Sequence, residues 1–201
     1  MSEKDRRHIL GYVPQHVALF SGTVHDNLTL GDETIPTEQV RQAATIAGAD
    51  RFITALPHGY NTVLSDTGRG SGIQLSAGQR QLLALARALT TQPAVLLLDE
   101  ATAVIDSATD AAFRTALHEH ILPAGTAVLT VAHRLATARE AHRVLVLAAG
   151  RIIEQGTPTQ LLATNGTFAT WVRLDDAGWD WQHNPEPGRP RPHSTGAPTV
   201  T

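Results

Sequence analysis

The chain has no cysteine, a single lysine and no long apolar run. The first absence excludes disulfides and cysteine-ligated metal sites. The second excludes a G-x-x-x-x-G-K-[ST] phosphate loop within these 201 residues, because the one lysine, Lys4, stands too near the first residue to end that motif. No window approaches the roughly 18 apolar residues that cross a bilayer. Met1 to Arg7 lead into no apolar signal-peptide core. Any membrane role is therefore expected to come through a partner. Positive charge is scarce as well, with a formal net charge of -3. A nucleic-acid footprint needs clustered Lys and Arg, so no nucleic-acid partner is expected. What remains is 42% apolar and 17% charged residues, an ordinary globular composition long enough for one domain and a short tail.

Apolar periodicity and turn residues give the organisation. Residues 9–13 read as a short strand ending at Pro14-Gln15. Val40, Ala43, Ala44 and Ala47 recur at helical spacing in 37–47, closed by Gly48. Asp50 is expected to cap a second helix over 51–56, stopped by Pro57. Alternate glycines mark 66–72 as a loop. An alanine- and leucine-rich helix runs from 76 to 90, with Leu82, Ala86 and Leu89 on one face, and Pro93 breaks it. Residues 94–98 are continuously apolar, the pattern of a strand buried on both faces. A helix capped by Asp106 or Ser107 is expected to reach His120. Two further apolar strands, 126–132 and 143–148, flank a helix over 135–141. Gly150 turns the chain into a hairpin with 151–154, and Thr157-Pro158-Thr159-Gln160 opens a short helix with a cap, a first-position proline and a capping glutamine. Strands alternating with helices predict an α/β layer with a mostly parallel sheet. From Asp175 prolines accumulate and periodicity is lost, so the tail 175–201 is expected to be disordered.

Three stretches carry chemistry. In Leu75-Ser76-Ala77-Gly78-Gln79, Ser76 and Gln79 have capping-box spacing. A helix start also offers unpaired N–H groups and the positive end of the dipole, which together attract phosphate. Ser76 adds a hydroxyl and Gly78 permits close backbone approach. Asp99-Glu100 end the apolar strand, at the edge where parallel sheets place ligands. The first carboxylate can hold Mg²⁺, which takes one or two carboxylates plus water and phosphate oxygens. The second can polarise an attacking water. His133 ends the next strand, where a neutral imidazole can donate to a phosphate oxygen. Gln15 is able to ligate Mg²⁺ and orient water, though by chemistry alone it is the weakest of the set. Two patterns are set aside. Gly68, Gly70 and Gly72 resemble a dinucleotide fingerprint, yet no strand precedes them. His118 and His120 lack the spacing of two ligands on one helical face.

Taken jointly, these residues resemble the ATPase domain of ABC transporters, above all the exporter type. Tyr12-Val13-Pro14-Gln15 with Leu19-Phe20 and Thr23-Val24-x-x-Asn27 looks like that family's Q-loop segment. Ala55-Leu56-Pro57-x-Gly59-Tyr60 and Arg151-Ile152-x-Glu154-Gln155-Gly156-Thr157 look like further exporter landmarks. The resemblance implies a P-loop NTPase (RecA-like) α/β core with an ABC α-helical subdomain, incomplete at its N-terminal end. Residues 1–30 would be a core remnant with the Q-loop, 31–92 the helical subdomain, 93–174 the remaining core and 175–201 the tail. It further implies ATP and Mg²⁺ as cofactors. Gln15 would couple nucleotide to a membrane domain and reach the metal. Leu75, Ser76, Ala77, Gly78 and Gln79 would meet the γ-phosphate, and Asp99 would organise Mg²⁺. Glu100 would be the base, Asp106 part of the D-loop, and His133 the switch histidine.

The partners so implied are a second ABC ATPase domain, paired head to tail, and a transmembrane permease at the inner face of the membrane. This chain departs from the pattern at Ala77, where glycine is usual, at Ala103-Val104-Ile105-Asp106, and in lacking the phosphate loop. In related folds that loop's strand lies inside the sheet, so a gap flanked by apolar surface is expected. Two other readings stay open from the residues: a non-catalytic partner completing another subunit's ATP site in trans, and the C-terminal lobe of a chromosome-maintenance or DNA-repair ATPase.

Overall fold

The computed structural model describes residues 3–65, 72–99, 107–132 and 134–178. The chain divides into two compact units, 1–133 and 134–201. The first unit opens with α1 (Glu3–Ile9), β1 (Leu10–Val13), β2 (Gly22–Thr23) and α2 (Val24–Thr29), followed by α3 (Thr37–Ile46) and α4 (Asp50–Thr54). After β3 (Val63–Leu64) come α5 (Ala77–Leu89), β4 (Val95–Asp99), α6 (Ser107–Thr115), a wide π-helical turn at Ala116–Ile121, and β5 (Ala127–Val131).

Three strands form a parallel sheet in the order β1–β4–β5. Val13 lies opposite Leu98, and Asp99 opposite Val131, so the strands end together at one edge. Helix α5 forms because its alanines, leucines and glutamines are strong helix formers and because Ser76 and Gln79 close a reciprocal capping box. Leu82, Leu83, Leu85 and Ala86 bury against Val13, Leu28, Val40, Leu96 and Leu98 in one core. Gly11 permits that approach: a Cβ there would lie 3.1 Å from the Ala88 carbonyl and 2.8 Å from the Pro93 ring.

Several sequence expectations need correction. Strand β1 begins at Leu10, because Ile9 ends helix α1. Asp50 is the first residue of α4 and Ala49 holds the cap position. The Asp50 carboxylate instead accepts the Tyr60 hydroxyl at 2.6 Å. Burial, and then that carboxylate, hold the Tyr60 pKa well above the usual phenol value. Strand β4 is fully buried on one face only, through Leu96 and Leu98, while Val95 and Leu97 stay partly exposed. The apolar run anticipates a second covering layer that the described residues do not supply. The helix expected to reach His120 stops at Thr115 and widens into the π turn. The expected glycine loop lies outside the described residues at 66–71.

The second unit holds α7 (Leu135–Arg139), β6 (Val144–Ala148), β7 (Arg151–Gly156), α8 (Pro158–Ala163) and α9 (Thr167–Asp176). As expected, β6 and β7 form an antiparallel hairpin, turning at Ala149 and Gly150 with φ of 46° and 74°. The Thr157 capping box with Pro158 at the helix start is also present. Val146, Leu161, Phe168 and Val172 make its core. Helix α9 has no side-chain cap of its own at Gly166. The Glu154 carboxylate takes that place, accepting the N–H groups of Thr167 and, at 3.1 Å, Phe168. Partial burial raises the Glu154 pKa, and these donors more than offset it, leaving the group below its ordinary range. Helix α9 runs to Asp176, so Asp175 and Asp176, expected in the tail, are helical, and 179–201 lie outside the described residues.

Candidate functional site

The site is organised by the direction of α5. Gly11 of β1 meets Ala88 near the helix C-terminus, whereas the Gln81 amide donates to the Pro14 carbonyl, just past β1, at 3.3 Å. Helix α5 therefore runs antiparallel to β1, and its N-terminus lies at the edge where β1 and β4 end. At about 1.5 Å per residue, Ser76 stands a further turn beyond Gln81. Gln15, Asp99 and the Ser76 tip thus share one end of the first unit.

The tip has the donor chemistry that an anion can use. The Ser76 Oγ accepts the Gln79 N–H at 3.1 Å, and the Gln79 Oε1 accepts the Ser76 N–H at 2.9 Å. The Arg80 N–H closes the first turn on the Ser76 carbonyl. Of the first-turn donors, those of Ala77 and Gly78 are left by helix geometry to point along the axis. The Ser76 hydroxyl spends a lone pair on Gln79 and keeps its own proton to donate. Leu75 is buried and anchors the approach, Gly78 is buried, and Ser76 and Ala77 are exposed. The methyl that replaces the usual glycine at Ala77 therefore faces solvent.

Asp99 is partly exposed at the end of β4. The Tyr12 hydroxyl donates to its Oδ2 at 3.2 Å. Partial burial and then the Asp99 carboxylate raise the Tyr12 pKa. Tyr12 takes one of the carboxylate's lone pairs, and the rest form an oxygen donor set that suits Mg²⁺. Gln15 is exposed one residue past the Pro14 carbonyl that Gln81 holds. Glu100, Asp106 and His133 lie outside the described residues.

The segment joining β1 to α2 is fastened from α5. Asn27 is fully buried, and its amide is saturated: Oδ1 accepts the Phe20 N–H at 2.9 Å, while Nδ2 donates to the carbonyls of Phe20 and Thr23 at 2.9 and 3.0 Å. Arg87 donates to the Asn27 carbonyl at 2.8 Å, the Asn27 Oδ1 at 3.1 Å and the Ala18 carbonyl at 3.2 Å. Its guanidinium lies 5.2 Å from the centre of the Phe20 ring. Burial, then the nearby Arg7, lower the Arg87 pKa to about 10, so it stays charged at neutral pH. Motif reading passes over Arg87, and it names Tyr12 only as a landmark beside Gln15, without its bond to Asp99. The one signal for Arg87 is a cation set in the otherwise apolar stretch 82–89 of α5, which must find partners in the fold.

Among the described residues no group of three His, Asp or Glu side chains is placed to hold a metal, His118 and His120 included. No helix among them is long and apolar enough to cross a membrane.

Known proteins resemble this chain. The model of a family described as ABC transporter matches residues 1–103. The mitochondrial potassium channel ATP-binding subunit of Homo sapiens is 42% identical over 168 residues, covering 84% of this chain and 22% of that protein. The putative ABC transporter ATP-binding protein exp8 of Streptococcus pneumoniae is 44% identical over 167 residues, covering 83% and 27%. A solved bacterial Atm1-family ABC exporter with ATP bound superposes with a TM-score of 0.72 at 35% identity, over 84% of this chain and 28% of that one. The chain spans about a quarter of the length of the curated relatives it matches. With more than half of its residues matched by the family model, and an exporter of the same fold superposing on it, this chain belongs to the ABC transporter family, as part of an exporter-type ATPase domain with the P-loop NTPase fold.

Proposed function

We propose that this chain supplies the signature and acidic-strand side of an ATP site in an ABC exporter. The capped tip of α5 carries the reading: a helix N-terminus with a donating hydroxyl at Ser76 and axial N–H groups at Ala77 and Gly78 grips a terminal phosphate. In this family two ATPase domains pair head to tail, and each nucleotide sits between one domain's phosphate loop and the other's signature. Ser76 then serves the partner's nucleotide. Asp99 and Gln15 serve a nucleotide whose phosphate loop comes from outside these residues. Asp99 and the Gln15 amide would hold Mg²⁺, which supplies charge neutralisation between phosphate oxygens when bound. Tyr12 orients Asp99 by its hydrogen bond. Glu100 is assigned the attacking water and His133 the γ-phosphate. Asp106 is assigned the contact across the dimer. Work done on a substrate requires a permease, so the chain acts from the inner, cytoplasmic face of a membrane through that partner.

The test is ATP binding and phosphate release by the purified chain, alone and mixed with an ABC ATPase domain that carries a phosphate loop. Release is expected only in the mixture, and Ser76→Ala should reduce it. Turnover by the chain alone, abolished by Glu100→Gln, would show that these residues already contain a whole site.

A further inference from the structure

We infer that Arg87 and Gln81 are positioning residues that tie the segment 14–23 to helix α5, so that phosphate capture at Ser76 is felt at Gln15 and Phe20. The inference rests on the reading that phosphate docks at the Ser76 tip, and it assigns roles to residues that this reading does not use. The segment leaves β1 at Pro14 and rejoins regular structure at β2 and α2. Between those points helix α5 fastens it at two places, and Asn27 of α2 holds Phe20. Gln81 holds the Pro14 carbonyl at 3.3 Å. Arg87 holds the Ala18 carbonyl at 3.2 Å and reaches Phe20 through Asn27 and through its ring.

Gln81 and Arg87 lie on the same continuous helix as the tip. A packed α-helix moves as a rigid body, with about 1.5 Å of rise per residue and no soft joint. A shift or tightening at Ser76 therefore carries both fastenings with it. At the near fastening sits Pro14, directly before Gln15. At the far one sits Phe20, a residue 54% exposed and so able to display the change at the surface. A guanidinium suits the far position, because its planar fork donates in fixed directions to three acceptors at once. Lysine gathers its donors on one atom at the end of a flexible stem and lacks that fixed spread.

The experiment is hydrogen exchange on the full chain, mixed with a phosphate-loop-bearing ABC ATPase domain, with and without Mg·ATP. In the wild type, ATP is expected to slow exchange by about tenfold in peptides covering both 73–82 and 16–23. Arg87→Gln should keep the first response and lose the second, with Arg87→Lys restoring part of it. Gln81→Met, which keeps the apolar packing, should weaken the response around 14–16. If Arg87→Gln fails to fold, Arg87→Lys and Gln81→Met carry the test.

A merely structural Arg87 would raise exchange in 16–23 equally with and without ATP, leaving the ATP response intact in every variant, and that overturns the inference. A wild-type response confined to 73–82 overturns it as well, while the nucleotide reading stands. No response at 73–82 overturns that reading, and the inference falls with it.

Discussion

On the face of the parallel sheet that meets α5, Val13, Leu96 and Leu98 are buried. On the opposite face Tyr12 is 48% exposed, Leu129 54% and Val131 51%. The same strands make both faces, in one register, so backbone geometry is not the source of the contrast. Parallel sheets are normally covered on both sides, and this one is covered on one. Strand β5 also has β4 as its sole ladder partner among the described residues. The gap expected from the missing phosphate-loop strand is thus not a break between β1, β4 and β5, which are contiguous. Among the described residues β5 leaves an open edge, and the sheet an open apolar face. The closed side holds the buried side chains of the sheet, and the open side leaves apolar ones in contact with solvent.

The largest effect should come from cutting into the closed face. Leu96→Ala removes a side chain with no exposed surface, and truncations of that kind cost about 2–5 kcal/mol. Chemical denaturation of the purified chain measures it. Second in size is Gly11→Ala, which puts a methyl against the Pro93 ring and the Ala88 carbonyl. Overpacking of this sort costs about 1–3 kcal/mol, and a neutral result would mean that α5 sits further from β1 than the structure has it.

Ser76→Ala removes the cap of α5 and should cost about 1 kcal/mol. Unlike the two core variants, it should lower phosphate release from the mixed domains more than it lowers the melting temperature. An equal loss in both would reduce Ser76 to a cap.

These sites differ in how far the sequence could disclose them. The Ser76–Gln79 and Thr157–Gln160 boxes are local, written within four residues, and appear as expected. Asp50 does not cap because it lies one residue inside the helix, where Tyr60, ten residues on, holds its carboxylate through a tertiary contact. Arg87 finds its acceptors sixty residues away in sequence, a distance no periodicity reports. The apolar run before Asp99 describes an environment with two covering layers, of which the described residues provide one.

In the second unit, Glu154 gives a smaller effect with a definite sign. Its folded pKa lies below the ordinary 4.5, so the stability it adds is fully present above that value. The contribution is lost as pH falls through the folded pKa. Glu154→Gln should cost about 0.3–1 kcal/mol at neutral pH, the usual worth of a charge at a helix N-terminus. It should also flatten the acid limb below pH 4.5, the carboxyl's ordinary value. Amide exchange across 167–176 reads both effects. A variant whose acid limb matches the wild type would remove Glu154 from its role over α9.

The smallest expected change in stability tests the comparison most directly. Leu129 and Leu96 are both leucines in neighbouring parallel strands, with Leu96 opposite Val128 and Leu97 opposite Leu129. If burial alone separates them, Leu129→Lys should shift unfolding by no more than about 0.5 kcal/mol, as for surface positions. Its effect should appear instead in association, since a charge on an open edge strand blocks pairing with other chains and breaks up an apolar patch. Sedimentation and binding of a hydrophobic dye should both report less self-association for the variant. In the presence of the segment that completes the sheet, the same lysine would be forced against an apolar layer and would then be strongly destabilising. A substitution that is harmless in this chain and damaging in a longer one would locate the missing cover on the β5 side. A substitution damaging in both would mean that Leu129 is already buried in solution.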